Sequence, residues 1–464
     1  MPSHCPGVSL DRALASLARA EATKIVQPLT QPLPSTEHGP PGVLGDLARV
    51  PSTRSTKARS SPPAGSPTWA EEGPERCPAG AKASNAATPA RARQSRQAAS
   101  RRFMSLTIPP AYLPGRGVFS GPVITLAAMS TQLRLSVLDQ SPVAEGSTPS
   151  QALANTLDLA RLADELGYHR YWLAEHHGGP MLAGPSPEAL IGPVAAATKR
   201  IRVGSGGVML PHYSPFKVAE TFSLLAGLFP GRIDLGLGRA AGTDPMTTFA
   251  LQRDRRQAAP DDFPQQLAEL LGYLEDRLPP DHPFARLAGT LPGLPERPEP
   301  WLLGSSPQSA LWAAELGLPY AFADFINPRG AEIMRLYRER FAEHEHAERS
   351  PRSAVAVWTI CAESDEEARR IAASGRMTFA LLREGRPIPV PPPEKAERFL
   401  ASRPPAEGPG QERRAVLGSP ASAAAGLLEV VEEYGAEEAI VVCITYDHQA
   451  RRRSYQLLAG EFGL

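Results

Sequence analysis

The chain has 464 residues with 49 basic and 49 acidic side chains, and the neutral total hides a division. Of these, 15 basic and 7 acidic residues fall in the first 128 positions, so the leader is basic and the remaining 336 residues are acidic by the same margin of 8. A mildly acidic main part lacks the electrostatic footprint of a nucleic-acid or anionic-membrane binder, and no run of 18 apolar residues is present to cross a bilayer.

Residues 1 to 128 are crowded with Pro, Ala, Ser, Gly and Arg, as in Ser60-Ser61-Pro62-Pro63-Ala64-Gly65-Ser66-Pro67, without sustained helical or strand periodicity. That composition is that of a disordered segment. An organellar transit peptide, a flexible interaction tail and upstream sequence translated from a misplaced start all fit it. Met129, directly before the first strand-like run, favours the last, with the folded part expected over 129–464.

From Leu133 onward, short apolar or β-branched runs alternate with longer amphipathic ones, as in a parallel sheet with helical crossovers. Strands are expected at Leu133 to Leu138, Tyr171 to Ala174, Ile201 to Leu210, Ile233 to Leu237, Trp301 to Leu303, Tyr320 to Asp324, Ala354 to Ala362 and Ala439 to Ile444. Helices are expected between them, the first over Gln151 to Leu166 with Gly167 in the stop position. Arg253 to Pro300 reads as an insertion around one helix, Pro264 to Arg277, and the Pro-rich stretch from Arg386 to Gly410 as a connection able to act as a lid. Eight such units suit a single (β/α)8 barrel of the TIM type, in which chemistry belongs at the C-terminal ends of the strands. Cys5, Cys77, Cys361 and Cys443 form no Cys-x-x-Cys pair, so free thiols in a soluble, cytoplasmic protein are expected.

The second strand runs into Glu175-His176-His177-Gly178. Two imidazoles beside a carboxylate can move protons near neutral pH, though a buried structural histidine with a capping glutamate fits as well. Adjacent side chains of an extended chain point to opposite sides, so the two histidines do not converge on one metal ion, and no metal site is expected. The third strand carries Gly204-Ser205-Gly206-Gly207, where interior glycines mark a bulge, an unusual peptide or close approach of something flat. The fourth, Gly231 to Arg239, ends in a guanidinium suited to a phosphate or to a surface ion pair. The fifth leads into Gly304-Ser305-Ser306-Pro307-Gln308-Ser309, which is either an anion cradle at a helix N-terminus or an ordinary N-cap.

Taken in order, Trp172-Leu173-Ala174-Glu175-His176-His177, Val203 to Pro211, Gly231 to Arg239, Leu303-Gly304-Ser305-Ser306 and Ala313 to Pro319 resemble the bacterial luciferase-like flavin monooxygenases over about Leu133 to Leu464. The closest likeness is to the uncharacterised group similar to the luciferase alpha chain. The resemblance implies that His176, next to Glu175, is the catalytic base and stabiliser of a flavin peroxide. It also implies that Arg239, Ser306 and Ser309 surround the flavin phosphate with Gly304 and Ser305, and that Gly206-Gly207 forms a non-prolyl cis peptide under the isoalloxazine ring. Gly238 and Ser305 depart from luciferase, which has cysteine and glutamate there, so light emission is not implied. The cofactor implied is FMN, used in its reduced form with O2 on a small-molecule substrate, with a separate flavin reductase as partner and a homodimer as assembly. A deazaflavin-dependent hydride-transfer enzyme and a flavin-binding barrel without turnover are the alternatives.

Overall fold

Strands and helices alternate along the computed structural model, which describes residues 133–464 apart from 240–242, 257–260, 345, 347–348 and 404–413. In chain order the elements are β1 (Arg134–Asp139), α1 (Pro149–Leu166), β2 (Arg170–Leu173), α2 (Pro187–Ala197), β3 (Arg202–Met209), α3 (Pro215–Leu228), β4 (Ile233–Gly238), α4 (Pro245–Leu251) and α5 (Phe263–Glu275). They continue as β5 (Glu299–Gly304), α6 (Pro307–Leu316), β6 (Tyr320–Ala323), α7 (Ala331–Glu343), β7 (Ser353–Cys361), α8 (Asp365–Arg383), α9 (Pro393–Ala401), β8 (Val416–Gly418), α10 (Pro420–Tyr434), β9 (Glu438–Val442) and α11 (His448–Phe462). Each of β1 to β7 pairs in parallel with the next, and β9 pairs with both β7 and β1, which closes an eight-stranded barrel. The expected leader, 1–128, lies outside the described residues.

The local causes are plain. All nine residues of β7 and all five of β9 are buried, as continuous apolar runs covered on both faces must be. At α1, Thr148 Oγ1 accepts from the Gln151 amide at 3.1 Å, Pro149 supplies a first-turn residue that needs no donor, and Gly167 ends the helix at φ +92°. Cys361 and Cys443 are buried free thiols, and burial pushes Cys443 up to about 11.

Two features depart from expectation. The stretch 386–410 is not a bare connection: it contains α9, whose buried Ala396 packs with Ala373, Met377 and Leu381 of α8, and Val390 donates to Val143 O at 2.8 Å. Pro387, Pro389, Pro391 and Pro392 sit ahead of α9 and Pro393 at its first position, where a missing amide proton costs nothing. Residues 404–410, the rest of the suggested lid, lie outside the described residues. The second departure is β8, which pairs with Thr359–Cys361 of β7 beyond the reach of β9. At three residues it is too short to leave a periodic signal.

The N-terminal end of the barrel is filled by ions. Arg170 of β2 donates Nη1 to Asp234 of β4 at 2.8 Å and Nε to Glu438 of β9 at 2.8 Å, all three being buried. These come from alternate strands, the layering typical of such barrels. Arg202 also pairs with Asp234 and Glu299, and Arg352 pairs with Glu299. Buried charge is tolerable only when its remaining hydrogen-bonding capacity is met. Here Asp234 also accepts from Trp172 Nε1 at 2.9 Å, and Glu438 accepts from Ser136 Oγ at 2.5 Å. The Arg170 guanidinium lies 4.5 Å from the Trp301 ring centroid, so the ionic layer is roofed by indole. Among the described residues, no helix is long and apolar enough to cross a membrane.

Candidate functional site

The opposite, C-terminal ends of the strands surround a cavity of about 390 Å³. The barrel lines it with apolar groups: Leu138 of β1, Trp172 of β2, Ala356 of β7 and Ile440 of β9. Strand β3 contributes backbone. It shifts register against β4 between Ser205 and Val208, and the Gly206–Gly207 peptide is cis. A Cβ on Gly206 would meet Leu138 Cδ1 at 2.5 Å, and one on Gly207 would meet Gly236 O at 2.7 Å, so only a bare main chain fits this wall.

The far side of the cavity is polar. Arg239, directly after β4, lines it with its side chain 46% exposed, bonded to Asp261 Oδ2 at 2.6 Å and lying 5.5 Å from the Trp312 ring centroid. Gly304, Ser305, Ser306 and Ser309 line the adjoining edge where β5 turns into α6. The serines are used unequally. Ser306 is the N-cap of α6, accepting from the Ser309 amide at 3.4 Å, and is exposed. Ser309 is buried, its hydroxyl donating to Ser306 O at 2.8 Å and meeting Tyr320 Oη at 2.8 Å. The N-cap reading therefore describes Ser306, and the cradle retains the exposed hydroxyl of Ser306, the helix amides and Arg239.

His176 and Glu175 are not among the residues lining the cavity. His176 follows β2 and Arg239 follows β4, so both occupy the same end of the barrel, on either side of β3. His176 is half-buried; its amide bonds to Gly184 O at 3.0 Å, and its ring Nε2 lies 3.2 Å from the side-chain nitrogen of Gln140. Glu175 is fully buried with both carboxylate oxygens engaged: Oε1 with His177 Nε2 at 2.8 Å, Oε2 with the Met209 amide at 2.9 Å. Burial, and then the nearby Glu175 carboxylate, push the Tyr213 hydroxyl far above its ordinary value. Glu175 thus ties the β2 loop to the top of β3. The potential ligand atoms of Glu175, His177 and His212 lie within 4.8 Å of one another. Within this group Glu175 and His177 are bonded directly at 2.8 Å, and the His177 and His212 rings meet edge to face with centroids 5.8 Å apart.

Sequence reading missed Trp172 and Met209 as cavity residues, as well as Gln140 and the Arg239 partner Asp261. Trp172 sits inside a quoted motif but looked like core. Gln140 carried a usable signal, a polar residue directly after a barrel strand. Asp261 carried none, because it reaches Arg239 through tertiary contact across 22 residues.

Comparison with known proteins follows the same outline. The family model for luciferase-like monooxygenases matches residues 133–438. YwcH of Bacillus subtilis (strain 168), itself uncharacterized, is 46% identical over 336 residues, covering 71% of this chain and 98% of that protein. The N-acetyl-S-alkylcysteine monooxygenase of the same organism is 37% identical over 328 residues, covering 70% of this chain and 97% of its own length. The crystal structure of apo-MsnO8 shares 42% identity with a TM-score of 0.66, covering 72% of this chain and 99% of that one.

Proposed function

We propose that this chain, which belongs to the luciferase-like monooxygenase family, uses reduced FMN and O2 to oxidise a small organic substrate. The observation that carries this reading is one continuous cavity, apolar where the barrel lines it and cationic at its rim. A flat tricycle with an anionic tail suits both halves, and the main chain at Gly206 and Gly207 lines the cavity without side chains. Bound reduced FMN supplies two electrons that, with dioxygen, put one oxygen atom into the substrate and the other into water.

The residues have separate tasks in this reading. Arg239, the Ser306 hydroxyl and the α6 amides hold the phosphate. Leu138, Trp172, Ala356 and Ile440 keep the barrel side of the cavity dry, which favours productive oxidation over wasteful hydrolysis. His176, whose ring Nε2 lies 3.2 Å from the Gln140 side-chain nitrogen, moves a proton. Glu175 keeps the β2 loop and Met209 in place. In this reading reduced flavin comes from a separate reductase and the chain works as a homodimer. The name of the relative acting on N-acetyl-S-alkylcysteine makes thioethers the first substrate class to try.

The test mixes the full chain, photoreduced FMN and an N-acetylated S-alkylcysteine with aerated buffer, and measures oxygen consumed against oxygenated product. Product formed in proportion to protein supports the reading. Oxygen uptake no different from that of free reduced FMN, with no product from any thioether or other small organic compound tried, sinks it.

A further inference from the structure

We propose that Met209 is a modification site, whose sulfur accepts an oxygen atom and becomes the sulfoxide when the cavity turns over without substrate. The inference rests on the functional reading above for its oxidant and on the cavity itself for its target. Met209 is the last residue of β3 and pairs with Gly238 of β4. Its amide donates to Glu175 Oε2 at 2.9 Å, which holds the strand end, and its side chain lines the cavity. Gly238 lines the same space, and a Cβ placed on it would lie 3.1 Å from Met209 Sδ. The thioether therefore occupies the room that a side chain at 238 would need, at the cavity wall.

Among the described residues that line the cavity, Met209 alone carries sulfur. The others offer aliphatic, aromatic, hydroxyl, guanidinium or main-chain groups, whereas a thioether is polarizable and takes up oxygen readily. The remaining described methionines are placed differently. Met181, Met334 and Met377 are buried and outside the cavity lining, and Met246 on α4 is 79% exposed. In the modification one atom of O2 bonds to the Met209 sulfur and the other leaves as water. O2 gains four electrons, two from the sulfur and two from reduced FMN, which also gives the two protons of the water. A small-molecule thioether seated in the cavity competes for the same oxygen atom, so the modification belongs to turnover without substrate. The sulfoxide brings a polar, chiral group to a wall shared with Leu138 and Trp172, and leaves the cavity narrower and less apolar.

The test exposes the full chain to excess photoreduced FMN and 18O2, with catalase and superoxide dismutase present and no substrate. The masses of tryptic peptides 203–217 and 240–253, which contain Met209 and Met246, are then measured. Heavy oxygen is expected on Met209 in most chains and on Met246 in few. Hydrogen peroxide added without flavin is expected to reverse that order, because exposure then decides. Equal labelling of the two methionines in the flavin reaction would trace the oxidation to a diffusible species and overturn the inference. A thioether that is itself oxygenated should lower the label on Met209, and an undiminished label would overturn the shared source of oxygen. An unlabelled Met209 alongside oxygenated thioether would overturn the inference and leave the functional reading standing. An unlabelled Met209 with no product from any compound tried would remove both.

Discussion

Replacing Arg239 by alanine separates phosphate recognition from ring binding, and its size follows from the surroundings of the guanidinium. A hydrogen bond to a charged group contributes about 1.5–3 kcal/mol. Arg239 has its side chain 46% exposed, so solvent screens it and the lower part of that range applies. Binding also requires Arg239 to give up Asp261, but an exposed ion pair of this kind is worth only about 0–1 kcal/mol. The net loss is then about 0.5–2 kcal/mol, or roughly 2- to 30-fold in Kd for reduced FMN. Reduced riboflavin has the same ring and no phosphate, so its affinity should be unchanged by the substitution. Anaerobic titration of both flavins into wild type and Arg239→Ala, followed by tryptophan fluorescence, reads the difference directly. An equal loss for both flavins would show that Arg239 acts through the fold, and no loss for FMN would place the phosphate elsewhere.

Other predictions are simpler. His176→Ala should leave flavin affinity nearly intact while oxygen consumption separates from product formation; unchanged coupling in that variant removes the proton role. Burial alone would raise the Glu299 pKa, but the charges of Arg352 and then Arg202 outweigh it and hold the carboxyl at about 2 against an ordinary 4.5. Its stabilising contribution is therefore full above about pH 4.5 and lost as pH falls toward 2, so Glu299→Gln should be less stable at pH 7 and converge on wild type near pH 2 in urea unfolding. Parallel curves at all pH values would show that the ion layer contributes nothing through this group. Gly236→Ala would put a methyl 2.1 Å from Ser205 O, and should cost about 1–3 kcal/mol in denaturant unfolding or prevent folding; an unchanged midpoint would mean the two strands can part freely.

The eight barrel strands were legible because each is a short apolar run separated from the next by a helix-length period. The cavity lining was legible where it consists of backbone or of a residue at a strand end: Gly206, Gly207 and Arg239 all line it. What was hidden depends on partners distant in sequence. Glu175 stands in a row of three ionisable groups, and the sequence does not show that its second oxygen accepts from an amide 34 residues away. The ion layer was equally invisible, since Arg170, Asp234, Glu299 and Glu438 are single charges at strand beginnings that only barrel closure brings together. Helix α9 was obscured by the prolines that introduce it.

The ionic layer roofed by Trp301 also governs traffic. With one end of the barrel stoppered by guanidinium and carboxylate groups, Leu138 and Ile440 are reached from the other end, where Arg239 lines the cavity. A cul-de-sac imposes queueing: a broad molecule seated at the doorway imprisons any smaller one behind it, and the order of arrival dictates the order of departure.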